Sequence, residues 1–280
     1  MGEIRNARAC IREAWRDFRW LEYRPFAWIM VFQLLFLFLA LNLEKPWGMA
    51  GAGWILRTSG EGAVHYPSSF LFLISSYARV ETFLVAIAGS LLIPLSLARI
   101  RAPMIGEAPT GAKTVERARR AYRVTLVGYL LNVVLLIGWE LLVDIGPRRW
   151  FSGLLGGIKG ELASWCLGVL VAFAIAAVFL YVPIRAVEET STFRDSLWGG
   201  ILEGLRSFTP TLFLVLAIAW PTVLLLAPLQ IFSNVIVTKF RPELTVVLLA
   251  ALAILSSFVN YLIYSAASRL HWIGTRKEPA

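Results

Sequence analysis

The chain is poor in the residue types that most enzymes use for chemistry. It has two cysteines and two histidines in 280 residues, and 16% of its residues are charged, against roughly 25% in an ordinary soluble domain. On the topology argued below, Cys10 and Cys166 lie near opposite membrane faces, which excludes a disulfide framework and a cysteine metal cluster. His65, in the first external loop, and His271, in the cytoplasmic tail, are likewise separated by the membrane and cannot share a metal ion. Each reads as a solvated loop residue. HExxH, paired CxxC and GxSxG are all missing, which removes the recognisable zinc and hydrolase sites. The reading is therefore of a chain that is not an enzyme, with no catalytic residue, metal or cofactor.

What the chain does have is apolar residues, 58% of the total. They gather into six runs, at 26–43, 80–98, 124–143, 162–184, 211–230 and 244–264. Each approaches the roughly 20 residues that cross about 30 Å of hydrocarbon as a helix. A lone strand or loop cannot satisfy its backbone hydrogen bonds in lipid, so these runs must be helices. The expected fold is all-α: a polytopic integral membrane bundle of six transmembrane helices with additional interfacial amphipathic helices. About 25 residues precede the first run and no small-x-small site directly follows Leu43, so the run reads as a retained anchor and not as a cleaved signal peptide.

Six crossings return both termini to one side. That side receives 19 of the 27 lysines and arginines and 11 of the 18 acidic residues, giving +8 there against +1 opposite. The positive-inside rule puts the termini in the cytoplasm of a cell (inner) membrane. An anionic inner leaflet accounts for the +9 of the whole chain. No aromatic-interleaved basic patch points to nucleic acid, so the expected partners are the bilayer and the anionic headgroups of its cytoplasmic side.

The domain organisation follows: a cytoplasmic interfacial amphipathic helix over 1–25, the six-span membrane domain over 26–268 and a cytoplasmic tail over 269–280. In the first segment Ile4, Ala7, Ile11, Ala14, Trp15, Phe18 and Leu21 form one helical stripe. Arg5, Arg8, Arg12, Arg16 and Arg19 flank it, since an offset of one residue turns about 100° around a helix. The arginines together with Trp15 and Phe18 are the expected membrane-surface contacts. A protein partner docking on the stripe is the alternative. A second lateral helix is expected to begin near Phe193, with Thr192 and Asp195 as a capping box and Phe193, Leu197, Ile201 and Leu205 at four-residue intervals. Thr209 then caps the fifth span, with Pro210 at its first position. A basic helix over 114–123 completes the cytoplasmic elements. On the outer side, 68–77 and 148–158 are too short to cross and read as interfacial or re-entrant pieces.

Chemistry-bearing patterns are few. GEAPTGAKT, from Gly106 to Thr114, approaches a phosphate-binding loop, but Ala112 breaks the spacing and a membrane span precedes it where a buried strand is required. The centres of the six spans lack ionisable groups. Glu81, Glu140, Asp144 and Glu161 gather at the outer boundary, where Glu140 and Asp144 share a helix face and form a weak candidate polar site. Gly128 and Asn132, with Asn260, read as helix-packing residues. Pro94, Pro183, Pro221 and Pro228 each remove a helical hydrogen bond, which makes the fifth span, with two prolines, the one expected to kink.

The segment YVPIRAVEETSTFRDSLWGGILEGLRSF, residues 181–208, resembles a stretch of six-helix bacterial membrane domains related to the membrane domain of glycerophosphodiester phosphodiesterases. There a span ends with proline, an acidic residue follows and a lateral helix containing serine leads into the next span; Pro183, Glu188 and Ser196 fit that outline. The resemblance covers about a tenth of the chain and implies architecture. It carries no phosphodiesterase activity, because no soluble barrel accompanies it. The expected function is a non-catalytic membrane scaffold or accessory subunit. The alternative is a permease subunit driven by a separate ATPase, which would meet the cytoplasmic helices.

Overall fold

A computed structural model describes residues 2–43, 45–53, 57, 68–145, 151, 153–188, 192–232, 235–237 and 242–275. Among these no strand occurs, and the chain is an all-α helical bundle. In chain order the α-helices of six or more described residues are α1 (Gly2–Arg16), α2 (Trp20–Leu41), α3 (Ser68–Leu84), α4 (Ser90–Arg101), α5 (Ala112–Ile145), α6 (Gly157–Phe179), α7 (Tyr181–Ala186), α8 (Phe193–Arg206), α9 (Phe208–Ile231) and α10 (Leu244–Thr275). Six stretches of the described residues are long and apolar enough to cross a membrane: Trp20–Leu41, Ser69–Ile105, Ala112–Val143, Lys159–Ala186, Phe208–Ile231 and Leu244–Trp272. Leu130, Val134, Leu135, Ile137, Leu141 and Leu142 of α5 are all exposed. Such a surface is stable only against lipid or another apolar partner.

Several boundaries differ from the sequence expectation. The N-terminal helix does not run to residue 25. It closes at Arg16, Asp17 bonds back to the Glu13 carbonyl, and a new helix starts at Trp20. Packing overrides the local periodicity here, because Phe18 turns into a ring cluster with Tyr23 and Tyr261, at centroid distances of 5.7 and 5.4 Å. Residues 68–77 are not a separate outer piece; they are the first part of α3, which continues through one π turn at Val85–Gly89 into α4. The basic helix over 114–123 is likewise the first third of the 34-residue α5. Of 148–158, residues 148–150 and 152 lie outside the described residues.

Prolines mark two of the irregularities. Pro183 cannot donate to the carbonyl of Phe179, and α6 ends at Phe179. Pro94 cannot donate to Ser90, and the π turn ends immediately before Ser90. Pro221 and Pro228 both lie within α9. Pro210 is the third residue of α9, not the first. Ser207 takes the capping place expected of Thr209, its carbonyl accepting from the Thr211 amide.

Two compact units emerge from the contacts. Unit 1 comprises residues 1–25, 89–218 and 261–280; unit 2 comprises 26–88 and 219–260. In unit 1, α8 lies hard against α6 and α7, and its own sequence explains how. Ser196, Gly200 and Gly204 form one stripe and are buried. A Cβ at Gly200 would sit 2.6 Å from Val182 Cα, and one at Gly204 would sit 2.1 Å from the Val178 carbonyl oxygen. The buried face is therefore the small-residue stripe with Leu197, whereas Phe193, Trp198, Leu202 and Leu205 stay exposed. Gly128 of α5 serves the same end, since a Cβ there would meet the Val182 side chain at 2.8 Å. Hydroxyl pairs tie the helices further, Tyr129 to Tyr264 at 2.7 Å and Tyr181 to Thr211 at 2.9 Å. In unit 2 the core gathers Phe36, Leu37, Leu73, Leu229, Leu249 and Ala253.

Candidate functional site

The densest polar constellation lies in unit 1, where α7, α8 and the end of α10 meet. Thr192 begins α8 as expected. Its hydroxyl oxygen accepts from the Asp195 amide at 3.3 Å and its hydroxyl hydrogen goes to the Asp195 carboxylate at 2.6 Å. The stripe that buries Ser196 and Gly200 also turns Glu203 inward, since 196, 200 and 203 share a helix face. A carboxylate placed there requires a partner. His271 supplies it, with Nδ1 bonded to Glu203 and Nε2 3.0 Å from the Glu188 carboxylate.

The histidine is 5% exposed, which corrects its reading as a solvated tail residue. It lies on the last helix, not on a loop. With a carboxylate facing each ring nitrogen, both nitrogens act as donors, as only the doubly protonated ring allows. Arg185 adds a second contact to Glu203 at 3.7 Å, and Arg101 donates to the Val187 carbonyl at 3.0 Å, beside Glu188. Burial pushes the Glu188 carboxyl up, but the bond and charge of His271, with Arg101 and Arg185, outweigh it and leave the group below its ordinary value. A surface cavity of about 500 Å³ lies against this cluster, lined by Arg185, Arg194, Asp195, Trp198, Gly199 and Leu202.

The N-terminal helix joins the same unit through a second cluster. Ala7, Cys10 and Ala14 are buried, so α1 uses a narrow small-residue face to pack on its own chain. Arg269 bonds Asp17 at 2.9 Å and lies 3.8 Å from Glu13. Hydrogen bonds from Arg269 and Arg16 hold the Asp17 carboxyl below its ordinary value. Burial, then the charge of Glu13, pushes the Cys10 thiol up to about 11, so it stays protonated and unreactive. The arginines expected at the membrane surface, Arg5, Arg8, Arg12, Arg16 and Arg19, are all exposed. Arg8 also stacks 5.7 Å above the Phe213 ring. Trp15 is 64% exposed, while Phe18 sits on Tyr23 and Tyr261.

The other sequence candidates are scattered. Glu140 is exposed near the end of α5. The Asp144 side chain and His65 lie outside the described residues. Asn132 presents an Oδ1 without a hydrogen-bond partner. Asn260 belongs to unit 2 and the Gly128–Asn132 stripe to unit 1. In the phosphate-loop-like segment Glu107 is occupied by Arg117, at 2.7 and 3.0 Å, and by Lys113 at 4.0 Å. Among the described residues no group of three or more His, Cys, Asp or Glu could hold a metal ion.

Glu81 lies within α3, and Gln33 of α2 hydrogen-bonds its carboxyl inside unit 2. Gln33 is eight residues before the end of α2 at Leu41, about 12 Å along the helix. The pairing joins an ionisable group of α3 to the middle of the apolar α2.

Comparisons with protein-family models, with curated proteins and with solved structures find no match for this chain.

Proposed function

We propose that the chain is a non-catalytic scaffold or accessory subunit of the inner membrane, multi-pass, with both termini in the cytoplasm. One observation carries this reading. The acids, the base and the cations of the unit 1 cluster bind one another: His271 between Glu188 and Glu203, Arg185 on Glu203, and Arg269 on Asp17 and Glu13. A paired framework of this kind fixes helices; a catalytic base or nucleophile must instead face a substrate. It ties α1, α8 and the end of α10 into a platform on the basic side, where the exposed Trp15, Trp198 and Leu202 are suited to lipid or to a protein partner. The anionic inner leaflet complements the exposed arginines of α1. The resemblance of residues 181–208 to six-helix membrane domains agrees with an architectural role.

A permease subunit working with a separate ATPase is the second reading. Glu81 favours it, because ionisable groups inside the bilayer mark transport pathways more often than static packing. Purification of the full chain from its native membrane in mild detergent, with the bound proteins identified, separates the two. Stoichiometric partners without an ATPase support the scaffold; a co-purifying ATPase whose activity depends on this chain overturns it. Cysteine-labelling of engineered termini in sealed inverted vesicles checks the orientation.

A further inference from the structure

The helical parts of unit 2 hold very little charge. Residues 26–41 of α2, 219–231 of α9 and 244–260 of α10 contain no Asp, Glu, Lys or Arg, and residues 68–88 contain only Arg79 and Glu81. Arg79 is exposed and lies two positions before Glu81, hence about 200° around the helix from it. No ion pair of Glu81 occurs among the described residues. Its neighbours are neutral: Gln33, which hydrogen-bonds it, and Tyr77, one turn earlier on α3 and in electrostatic contact with it. Both are 2% exposed.

Two atoms beside the carboxyl have no hydrogen-bond partner. They are Gln33 Oε1 and the Tyr77 hydroxyl. Buried polar atoms without partners call for an explanation, and the protonation state of Glu81 provides one. An ionised carboxylate only accepts. It takes the hydrogen of Gln33 Nε2 and has nothing to give Gln33 Oε1, which stays without a partner. A protonated carboxyl both donates and accepts, so the acid and the amide can bond reciprocally and Oε1 gains its hydrogen. In that state the Tyr77 hydroxyl is left over, as observed. When the proton leaves, the Tyr77 O–H, in electrostatic contact with Glu81 and without a partner of its own, is a donor for the carboxylate.

We infer that Glu81 is a proton-binding site inside the membrane, protonated at neutral pH against Gln33, with Tyr77 as the donor that takes over when the proton departs to water. The site stands whether the chain is a scaffold or a permease subunit.

The test is an infrared difference titration of the full chain in lipid nanodiscs, read at the carbonyl band of a protonated carboxyl and its shift in D2O. Wild type should show a buried band at neutral pH that vanishes on alkalinisation. E81Q should lose that band entirely, and Q33L should keep it but move it to higher frequency, because the bond to the carbonyl is gone. Y77F should keep it and require a more alkaline solution to remove it, because the carboxylate has lost its donor. Should E81Q fail to fold, the wild-type titration and Q33L still decide. Absence of the band in wild type at neutral pH, its persistence in E81Q, or its removal by sodium ion at constant neutral pH would each overturn the proposal, the last by making the site one for a metal cation.

Discussion

His271 Nε2 and the Glu188 carboxylate lie 3.0 Å apart across 83 residues of sequence. The bond closes unit 1 between the end of α10 and the turn after α7, and Glu203 completes it from α8. Removing the imidazole would leave two partly buried carboxylates facing each other.

H271A is therefore expected to destabilise unit 1 strongly, on the order of 3 kcal/mol, since breaking a buried ion pair from one side strands the other charge. The readout is limited trypsin cleavage at Arg194 and Arg206 in detergent micelles, which should become faster. The double variant E188Q/E203Q in the H271A background should recover part of the loss, because it removes the repulsion. If H271A leaves cleavage at the wild-type rate, the clamp does not hold α8.

The glycine stripe gives a steric prediction. G204A places a Cβ where 2.1 Å separates it from the Val178 backbone oxygen, and overpacking of this kind costs about 1–3 kcal/mol. At Gly168 nothing lies within 4 Å, so G168A should be neutral or stabilise by up to about 1 kcal/mol through helix propensity. Denaturation in mixed micelles compares the two, and equal effects would contradict the tight crossing of α8.

Acid sensitivity follows from the depressed carboxyls. Glu188 and Asp17 bind fewer protons in the folded chain than in the unfolded one. Their contribution is complete above the unfolded values of about 4.3 and 3.9, and it is lost as pH falls through the lower folded values. Thermal midpoints measured from neutral pH downward should hold until about pH 4 and then drop. E188Q and D17N should each flatten that acid limb, while a curve that falls at higher pH would point to other groups.

Thiol labelling checks the docking of α1. In a C166S background Cys10, buried and protonated, should resist a maleimide in the folded protein and react only after denaturation. Rapid labelling without denaturant would show that α1 lies free on the membrane surface.

The sequence alone determined what depends on neighbouring residues. Six apolar runs specify six helices because the hydrocarbon permits no other backbone, the arginine count specifies the basic side, and Thr192 with Asp195 specifies where α8 begins. One further relation was present in the pattern: Glu203 shares a face with Ser196 and Gly200, and a carboxylate on a small-residue stripe announces a buried partner. The partner was not legible, because nothing local ties His271 to Glu188 and Glu203. The same limit explains the two largest revisions. Helical periodicity continued α1 to residue 25, whereas aromatic packing of Phe18 on Tyr23 and Tyr261 broke it at Arg16. Distance along the chain left Glu81 without a partner, whereas the fold bonds it to Gln33 of α2. Depth and burial are properties of which helix faces meet, and only the tertiary structure decides that.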